Sequence, residues 1–272
     1  MKSPRSKPPA GAPVLAPAKP RPGFPASLAS FSPGALTGLA GSPSRPKVAA
    51  VAQLSRPVGL GLDSSAVRQA MLTRLAAQGL EHAAVLGALG AVERHRFVDS
   101  ALVNQAYEDT SLPIGLGQTI SKPSVVARML ALLLEGREAP LGRVLEIGTG
   151  CGYQAALLGL LAREVYSIER LQALHERART NLLGLRLHHL HLILGDGMLG
   201  YPRGAQYDGI IAAAAGDAIP DAWIDQLAPG GRLVAPMGSG RQSLVVIDKT
   251  ESACVRTVLE SVHFVPLKSG IA

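Results

Sequence analysis

The stretch Glu146-Ile-Gly-Thr-Gly-Cys-Gly-Tyr153 decides the fold of this chain. It continues an apolar run that predicts a short buried strand, and a helix is predicted to begin at Tyr153. Gly148, Gly150 and Gly152 lie in the turn between the two elements, where the backbone must approach a ligand closely and a side chain would block it. A strand, a glycine-rich turn and a helix in this order predict the ligand-binding edge of a parallel sheet.

Predicted strands and helices alternate along the chain from this stretch to residue 235. The predicted strands are 143–147, 164–168, 190–194, 207–211, 231–235, 243–247 and 254–265, and the predicted helices among them are 153–161, 171–183 and 220–227. The last two strands are joined by a polar turn, which favours antiparallel pairing at the edge of the sheet. The alternation predicts an α/β fold with a doubly wound, mostly parallel, seven-stranded sheet of the Rossmann-like type.

The residues before the sheet divide into helices and a loop. A helix capped by Asp63 or Ser64 is predicted to end at Gly79, and a short second helix follows over residues 85–89. Residues 97–123 show no period and predict a long loop, which in a compact domain is often functional. Pro123 suits the first turn of the next helix.

The first 60 residues differ in composition from the rest of the chain. They hold 8 basic residues, no acidic residue and 12 of the 20 prolines. We therefore predict a disordered basic extension over residues 1–60 and one folded domain over residues 61–272. The domain itself has a net charge of −1, so we expect no nucleic-acid partner for it. A role of the extension on acidic surfaces and a gene start placed too early both stay open.

Composition also bears on the location of the chain. The longest nearly apolar run, Val125–Leu134, is interrupted by Arg128, whereas a membrane span needs about 20 apolar residues. We therefore expect no membrane association. Two cysteines, Cys151 and Cys254, cannot build a disulfide framework, so we predict a reducing compartment and hence the cytoplasm.

Two residues of the glycine stretch favour one class of nucleotide ligand over another. In a dinucleotide-binding turn the third small residue allows tight packing of helix on strand, but here that position is Tyr153. Glu146 stands two residues before the first glycine, where its carboxylate would repel a pyrophosphate and attract a cation. S-adenosylmethionine (SAM) carries a sulfonium and an ammonium group and no phosphate. The pattern therefore favours SAM over NAD.

Acidic residues also follow the next two predicted strands. Glu169 ends the second strand, where a carboxylate can accept hydrogen bonds from ribose hydroxyls, although this spacing suits NAD equally well. Asp196 follows the third strand, where it could accept from the adenine amino group. A helix N-terminal acid and a turn residue are the structural alternatives. The predicted cofactor-binding residues are Glu146, Gly148, Thr149, Gly150, Gly152, Glu169, Asp196 and Gly197.

From about Asp63 to Ala272 the chain resembles the protein-L-isoaspartate O-methyltransferases of the bacterial type. The glycine stretch and Gly195-Asp-Gly197 match the cofactor motifs of that family but occur in many SAM enzymes. The loop Pro113-Ile-Gly-Leu-Gly-Gln-Thr-Ile-Ser121 and the terminal Phe264-Val-Pro-Leu267 are more specific. The resemblance implies the Rossmann-like fold of SAM-dependent methyltransferases.

The resemblance also implies an activity and its substrate. The family transfers the methyl group of SAM to the free carboxylate of L-isoaspartyl residues in damaged proteins and peptides, which initiates their repair. Ser121 maps to the active-site serine of the family; its structural alternative is a helix N-cap. A carboxylate is already ionised at neutral pH, so the reaction needs alignment and exclusion of water more than a base. We expect no metal and a monomer.

Three other functions are alternatives to methylation of isoaspartyl residues. One is a SAM-dependent methyltransferase that acts on RNA or a small molecule, which the Gln118–Ser121 segment argues against. Another is an NAD-dependent oxidoreductase, and the third is a protein that binds SAM without catalysis. The chain also departs from its relatives, because Ala213–Asp217 stands where they commonly have Thr-Ala-Ala-Pro-Pro. His188, His189 and His191 are interpreted as a solvated turn rather than a metal site.

Overall fold

The computed structural model describes residues 65–272, and its strands define the architecture. They are β1 (Leu112–Gly115), β2 (Gln118–Ile120), β3 (Leu141–Ile147), β4 (Ala162–Glu169), β5 (Leu190–Leu194), β6 (Tyr207–Ala212), β7 (Leu227–Met237), β8 (Gln242–Lys249) and β9 (Cys254–Val262). The predicted disordered extension and the predicted cap at Asp63 or Ser64 lie outside the described residues.

Seven of these strands form one sheet in the order β5-β4-β3-β6-β7-β8-β9. The pairs from β5 to β7 are parallel, whereas β8 is antiparallel to both β7 and β9. The predicted doubly wound, mostly parallel seven-stranded sheet is therefore confirmed. The strand order reverses between β3 and β6, and in such sheets ligands bind beyond the carboxyl ends of the strands at this point.

Six α-helices accompany the sheet within the described residues. They are α1 (Ser65–Ala77), α2 (Ala83–Ala91), α3 (Pro123–Leu134), α4 (Tyr153–Leu161), α5 (Gln172–Leu182) and α6 (Asp221–Gln226). The buried apolar residues of α1 to α5 pack in one core with Val144 of β3, and Trp223 of α6 packs in a second core with Leu145. Successive residues of a strand point to opposite faces, so helices cover both sides of the sheet. No helix among residues 65–272 is long and apolar enough to cross a membrane.

The prediction of a long loop over residues 97–123 is wrong. The structure has short 3-10 helices at Arg94–Phe97 and Ser100–Gln105, and β1 and β2 form an antiparallel hairpin. The alternation of buried Leu112 and Ile114 with exposed neighbours is a strand pattern, but it spans only four residues and contains a proline, which hides it in the sequence. The hairpin turn has positive φ at Gly115, Leu116 and Gly117, so an apolar residue lies at a tip that favours glycine.

Candidate active site

The glycine turn wraps over the end of β4. Gly148, Gly150 and Gly152 all have positive φ, which a residue with a side chain rarely adopts. The amides of Gly148 and Thr149 donate to the carbonyl of Ile168 at 2.9 and 3.1 Å. The turn is therefore held by the backbone of the sheet and presents its own backbone outward.

A cleft of about 220 Å³ opens beside this turn. One wall consists of Gly148, Gly150, Glu169 and Gly197, from the ends of three neighbouring strands and the segments after them. The other wall holds residues of the β1–β2 hairpin and of segment 265–268. A β-carbon on Gly197 would lie 2.6 Å from Cγ2 of Ile147, so this position of the wall excludes a side chain. The structure thus brings four of the predicted cofactor residues to one cleft.

Glu169 is 5% exposed, and its carboxylate holds the glycine turn by a hydrogen bond. Its Oε2 accepts from the amide of Gly150 and its Oε1 from the amide of Leu171, both at 2.9 Å. Leu171 is the N-cap of α5, so the structural alternative for Glu169 is also present. Each carboxylate oxygen can accept a further hydrogen bond, so the group can serve the turn and a ligand hydroxyl together.

Glu146 lies beneath the turn and is fully buried, rather than on the cleft wall. Its Oε2 accepts from the hydroxyl of Ser167 at 2.5 Å, and that hydroxyl is 2.6 Å from the one of Thr149. Its Oε1 has no hydrogen-bond partner within residues 65–272. Burial raises the pKa of Glu146 to about 8 against the lowering effect of Ser167 and Gln154, and Glu169 raises it further. Glu146 is therefore largely protonated at neutral pH, and any attraction of a cation by it acts through the turn.

Asp196 is half-buried and directly precedes Gly197, but it does not itself line the cleft. Its Oδ1 accepts from the amide of Met198 at 2.9 Å, which is the predicted turn role. Its Oδ2 accepts from the amide of Gly270 at 2.7 Å, and Arg170 donates to the carbonyl of Gly270 at 2.9 Å. Gly270, near the carboxyl terminus, is thus held against Asp196 and Arg170.

Ser121 lies on the opposite side of the glycine turn. It lines a small cavity of about 40 Å³ together with Gly148 and Gly150, which also line the cleft. The helix N-cap alternative does not hold, because the N-cap of α3 is Lys122, with no side-chain capping bond. The amide and hydroxyl of Ser124 are instead bonded to Asp109, at 2.9 and 2.8 Å.

A groove of about 580 Å³ adjoins these two spaces. Its lining includes Ala215, Gly216 and Asp217, so the segment that departs from its relatives forms part of the groove wall. The amide of Ala215 donates to the carbonyl of Val265 at 2.8 Å, which holds that segment against the chain near its carboxyl terminus. Thr119 lines the cleft, the groove and the small cavity alike, so the three spaces meet at the hairpin.

The sequence analysis missed two arginines that hold this side of the site. Arg94 donates to the carbonyls of Ala106 and Ser121, both at 2.7 Å, and Arg177 donates to the carbonyl of Ile114 at 2.7 Å. Arg94 stands in the charged run Glu93-Arg-His-Arg96, which is typical of a solvated surface, so no signal in the sequence marks it as buried.

The three histidines near β5 lie apart from the cleft. His189 is 2.7 Å from the carbonyl of Gly159, while His191 lies 3.3 Å from Glu164 and stacks on Tyr166. In the part of the chain that the structure describes, no three histidine, cysteine or acidic residues group as metal ligands would.

Comparison with known proteins gives the same family in each case. A family model described as protein-L-isoaspartate(D-aspartate) O-methyltransferase (PCMT) matches residues 66–272. A protein-L-isoaspartate O-methyltransferase of Methylibium petroleiphilum is 57% identical over 262 residues, which cover 93% of this chain and 97% of that one. One of Leptothrix cholodnii is 58% identical over 236 residues, covering 84% of this chain and 83% of that one.

Solved structures agree with these sequences. A protein-L-isoaspartate O-methyltransferase has a TM-score of 0.68 at 27% identity, covering 75% of this chain and 67% of that one. A putative one of Plasmodium falciparum, solved with S-adenosyl-L-homocysteine, shares the fold with a TM-score of 0.65 at 23% identity, covering 74% and 98%.

The first of these sequence comparisons also corrects one expectation. Its coverage of 93% exceeds what residues 65–272 alone could supply, so the likeness to the Methylibium protein extends into the first 64 residues. The expected start of the resemblance at about Asp63 is too narrow for this relative, although it agrees with the family model. On the family model and on these close relatives, the chain belongs to the protein-L-isoaspartate(D-aspartate) O-methyltransferase family.

Proposed function

We propose that this chain transfers the methyl group of SAM to the free carboxylate of L-isoaspartyl residues in damaged proteins and peptides, which initiates their repair. Family membership gives the reaction class. The observation that carries the proposal in the structure is the meeting of three spaces at Thr119: a cleft beside the glycine turn, a groove of about 580 Å³, and the small cavity at Ser121.

The cleft has the features that SAM requires. Glu169 would accept from the ribose hydroxyls, Asp196 would accept from the adenine amino group, and the backbone from Gly148 to Gly152 would line the remainder. The Plasmodium relative was solved with the demethylated form of the same cofactor.

Ser121 would position the acceptor. Its hydroxyl makes no hydrogen bond within residues 65–272, so it is available to donate to one oxygen of the isoaspartyl carboxylate. The second oxygen then stays free to attack. When bound, SAM supplies an electrophilic methyl group on a sulfonium, and the O–CH₃ bond forms as the S–CH₃ bond breaks. The hairpin wall, with Leu116 at its tip, would keep water away from this step.

The acceptor requires no general base from the protein. A carboxylic acid has a pKa of about 4, so the isoaspartyl side chain is ionised at neutral pH and already nucleophilic. Alignment of the two reactants and exclusion of water are then the contributions that the chain must make. We further propose that the chain acts in the cytoplasm, as its sequence predicts, and that it is a monomer.

A matched pair of synthetic peptides tests this function. The peptides share one sequence and differ only in an aspartyl or an isoaspartyl residue, and each is incubated with the protein and methyl-labelled SAM. We expect a base-labile methyl ester on the isoaspartyl peptide alone. Equal labelling of both peptides, labelling of RNA but of neither peptide, or binding of NADH in place of SAM would each overturn the proposal.

A further inference from the structure

Arg94 is a fully buried arginine on the acceptor side of the site, the side that contains the β1–β2 hairpin and Ser121. Its side chain bonds two separate segments of the chain. Its Nε donates to the carbonyl of Ala106, just after the second 3-10 helix, and its Nη2 donates to the carbonyl of Ser121. Both bonds are 2.7 Å long. The carbonyl of Ser121 is thereby fixed by a side chain rather than by a strand partner.

The charge of Arg94 has no ion-pair partner within the described residues. None of the ion pairs there includes it, its Nη1 has no hydrogen bond, and its guanidinium lies 4.9 Å from the centre of the Tyr153 ring. Burial lowers the pKa of Arg94, while Tyr153, Cys151 and Asp109 favour its charged form. Burying a charge without a counter-ion is costly.

Arg94 does not line the small cavity at Ser121 itself, but it contacts residues that do. Tyr153 and Cys151 line the small cavity at Ser121, and Tyr153 carries the guanidinium on its ring. Bonding to two carbonyl groups alone does not require a permanent charge, because a neutral amide can donate as well. A buried charge does, however, act more strongly than one in water on a second charge placed nearby.

We infer that Arg94 is a positioning residue for the acceptor: it fixes Ser121 through its carbonyl, and its buried charge selects an anionic group in the cavity beside the glycine turn. This inference rests on the proposed function. The carboxylate of the isoaspartyl residue would be the counter-ion that the described residues do not supply. Arg94 therefore contributes to the choice of an acid over its neutral amide and leaves the cofactor cleft unchanged.

The test uses two peptides that differ only in the charge of the acceptor. One carries an isoaspartyl residue, and the other carries its neutral side-chain amide as a competitor that cannot be methylated on an acid oxygen. With the full-length protein, we expect the acid peptide to bind about tenfold or more tightly than the amide. Equal binding of the acid and the amide to the unaltered protein would overturn the inference without any variant.

Substitutions then separate the charge from the hydrogen bonds. Arg94→Gln should remove the preference for the acid and raise the KM of the isoaspartyl peptide about tenfold, with the SAM dissociation constant unchanged. Arg94→Lys keeps the charge and should retain most of the preference even where kcat falls. Arg74→Gln is the matched control, because Arg74 lies on the exposed face of α1 and donates to the carbonyl of Tyr107 at 2.6 Å, and it should leave the preference intact.

The outcomes separate this inference from the proposed function. A merely structural role of Arg94 would lower stability and kcat without changing the ratio of acid to amide binding, and that result would overturn the inference. If Arg94→Gln does not fold, the ratio in the unaltered protein and in Arg94→Lys decides. Absence of methyl transfer to any isoaspartyl peptide by the unaltered protein would instead overturn the proposed function.

Discussion

The cofactor side and the acceptor side of the site are built in different ways. On the cofactor side, backbone hydrogen bonds between neighbouring strands set the positions. The amide of Gly148 donates to the carbonyl of Ile168, and the amide of Gly195 donates to the backbone carbonyl of Glu169. On the acceptor side, the hairpin and Ser121 are held by the long side chains of Arg94 and Arg177. The first construction follows from the sheet itself, whereas the second depends on single residues.

This difference has a consequence for mutation. A substitution on the cofactor side should weaken SAM binding while the acceptor side keeps its geometry, because the sheet holds the turn independently of the hairpin. A substitution on the acceptor side should lower turnover and leave SAM affinity unchanged.

Ser121→Ala should give the largest loss, about 10²-fold in kcat, because it removes the hydroxyl that orients the acceptor carboxylate. Calorimetric titration should show an unchanged affinity for SAM. Ser124→Ala is the matched control: its hydroxyl bonds Asp109 near the start of α3, so we expect a loss of about 1 kcal/mol in unfolding free energy and normal turnover. An Ser121→Ala protein with normal turnover would contradict the assignment.

Glu169→Ala should weaken SAM binding tenfold or more. A hydrogen bond to a charged group contributes roughly 1.5–3 kcal/mol, and this carboxylate is predicted to hold the ribose as well as the amides of Gly150 and Leu171. Glu169→Gln keeps one carbonyl oxygen and should lose less. Glu164→Gln, in the same strand but paired with Arg143 at the surface, should bind SAM normally. Calorimetry on the three variants decides, and equal affinities would remove Glu169 from the cofactor site.

Glu146→Gln should change the pH dependence of stability. Because burial raises the pKa of Glu146 from 4.5 to about 8, the folded state holds a proton that the unfolded state has lost between these values. The stability of the unaltered protein should therefore fall as pH rises from 5 to 8, relative to the variant, which cannot ionise at this position. Thermal unfolding of both proteins across this range measures the difference. Parallel curves would show that Glu146 is ionised in the folded state.

Removal of residues 1–60 should have the smallest effect. Every predicted site residue lies within residues 65–272, so a chain that begins at Leu60 should keep its kcat on isoaspartyl peptide. Steady-state kinetics of the shortened and full-length proteins test this expectation. A large fall in kcat with the domain still folded would assign the extension a part in the reaction.

The difference between the cofactor side and the acceptor side also explains how much of the structure the sequence could predict. Helix α4 and strand β5 have the predicted bounds, and the glycine turn lies where predicted, because periodicity and glycine placement encode these features locally. The hairpin was not predicted, since its strands are too short to show a period. Arg94 was not predicted because its burial depends on contacts with residues 12 and 27 positions away. The buried position of Glu146 likewise depends on the neighbouring strand β4, whose Ser167 donates to it.

The central claim is that Ser121 orients the acceptor and does not itself carry the methyl group. A rapid-quench experiment with methyl-labelled SAM and isoaspartyl peptide, followed by mass spectrometry of the protein, tests it most directly. The label should pass from SAM to the peptide with no labelled protein at any time point. Label on Ser121 during turnover would contradict the claim.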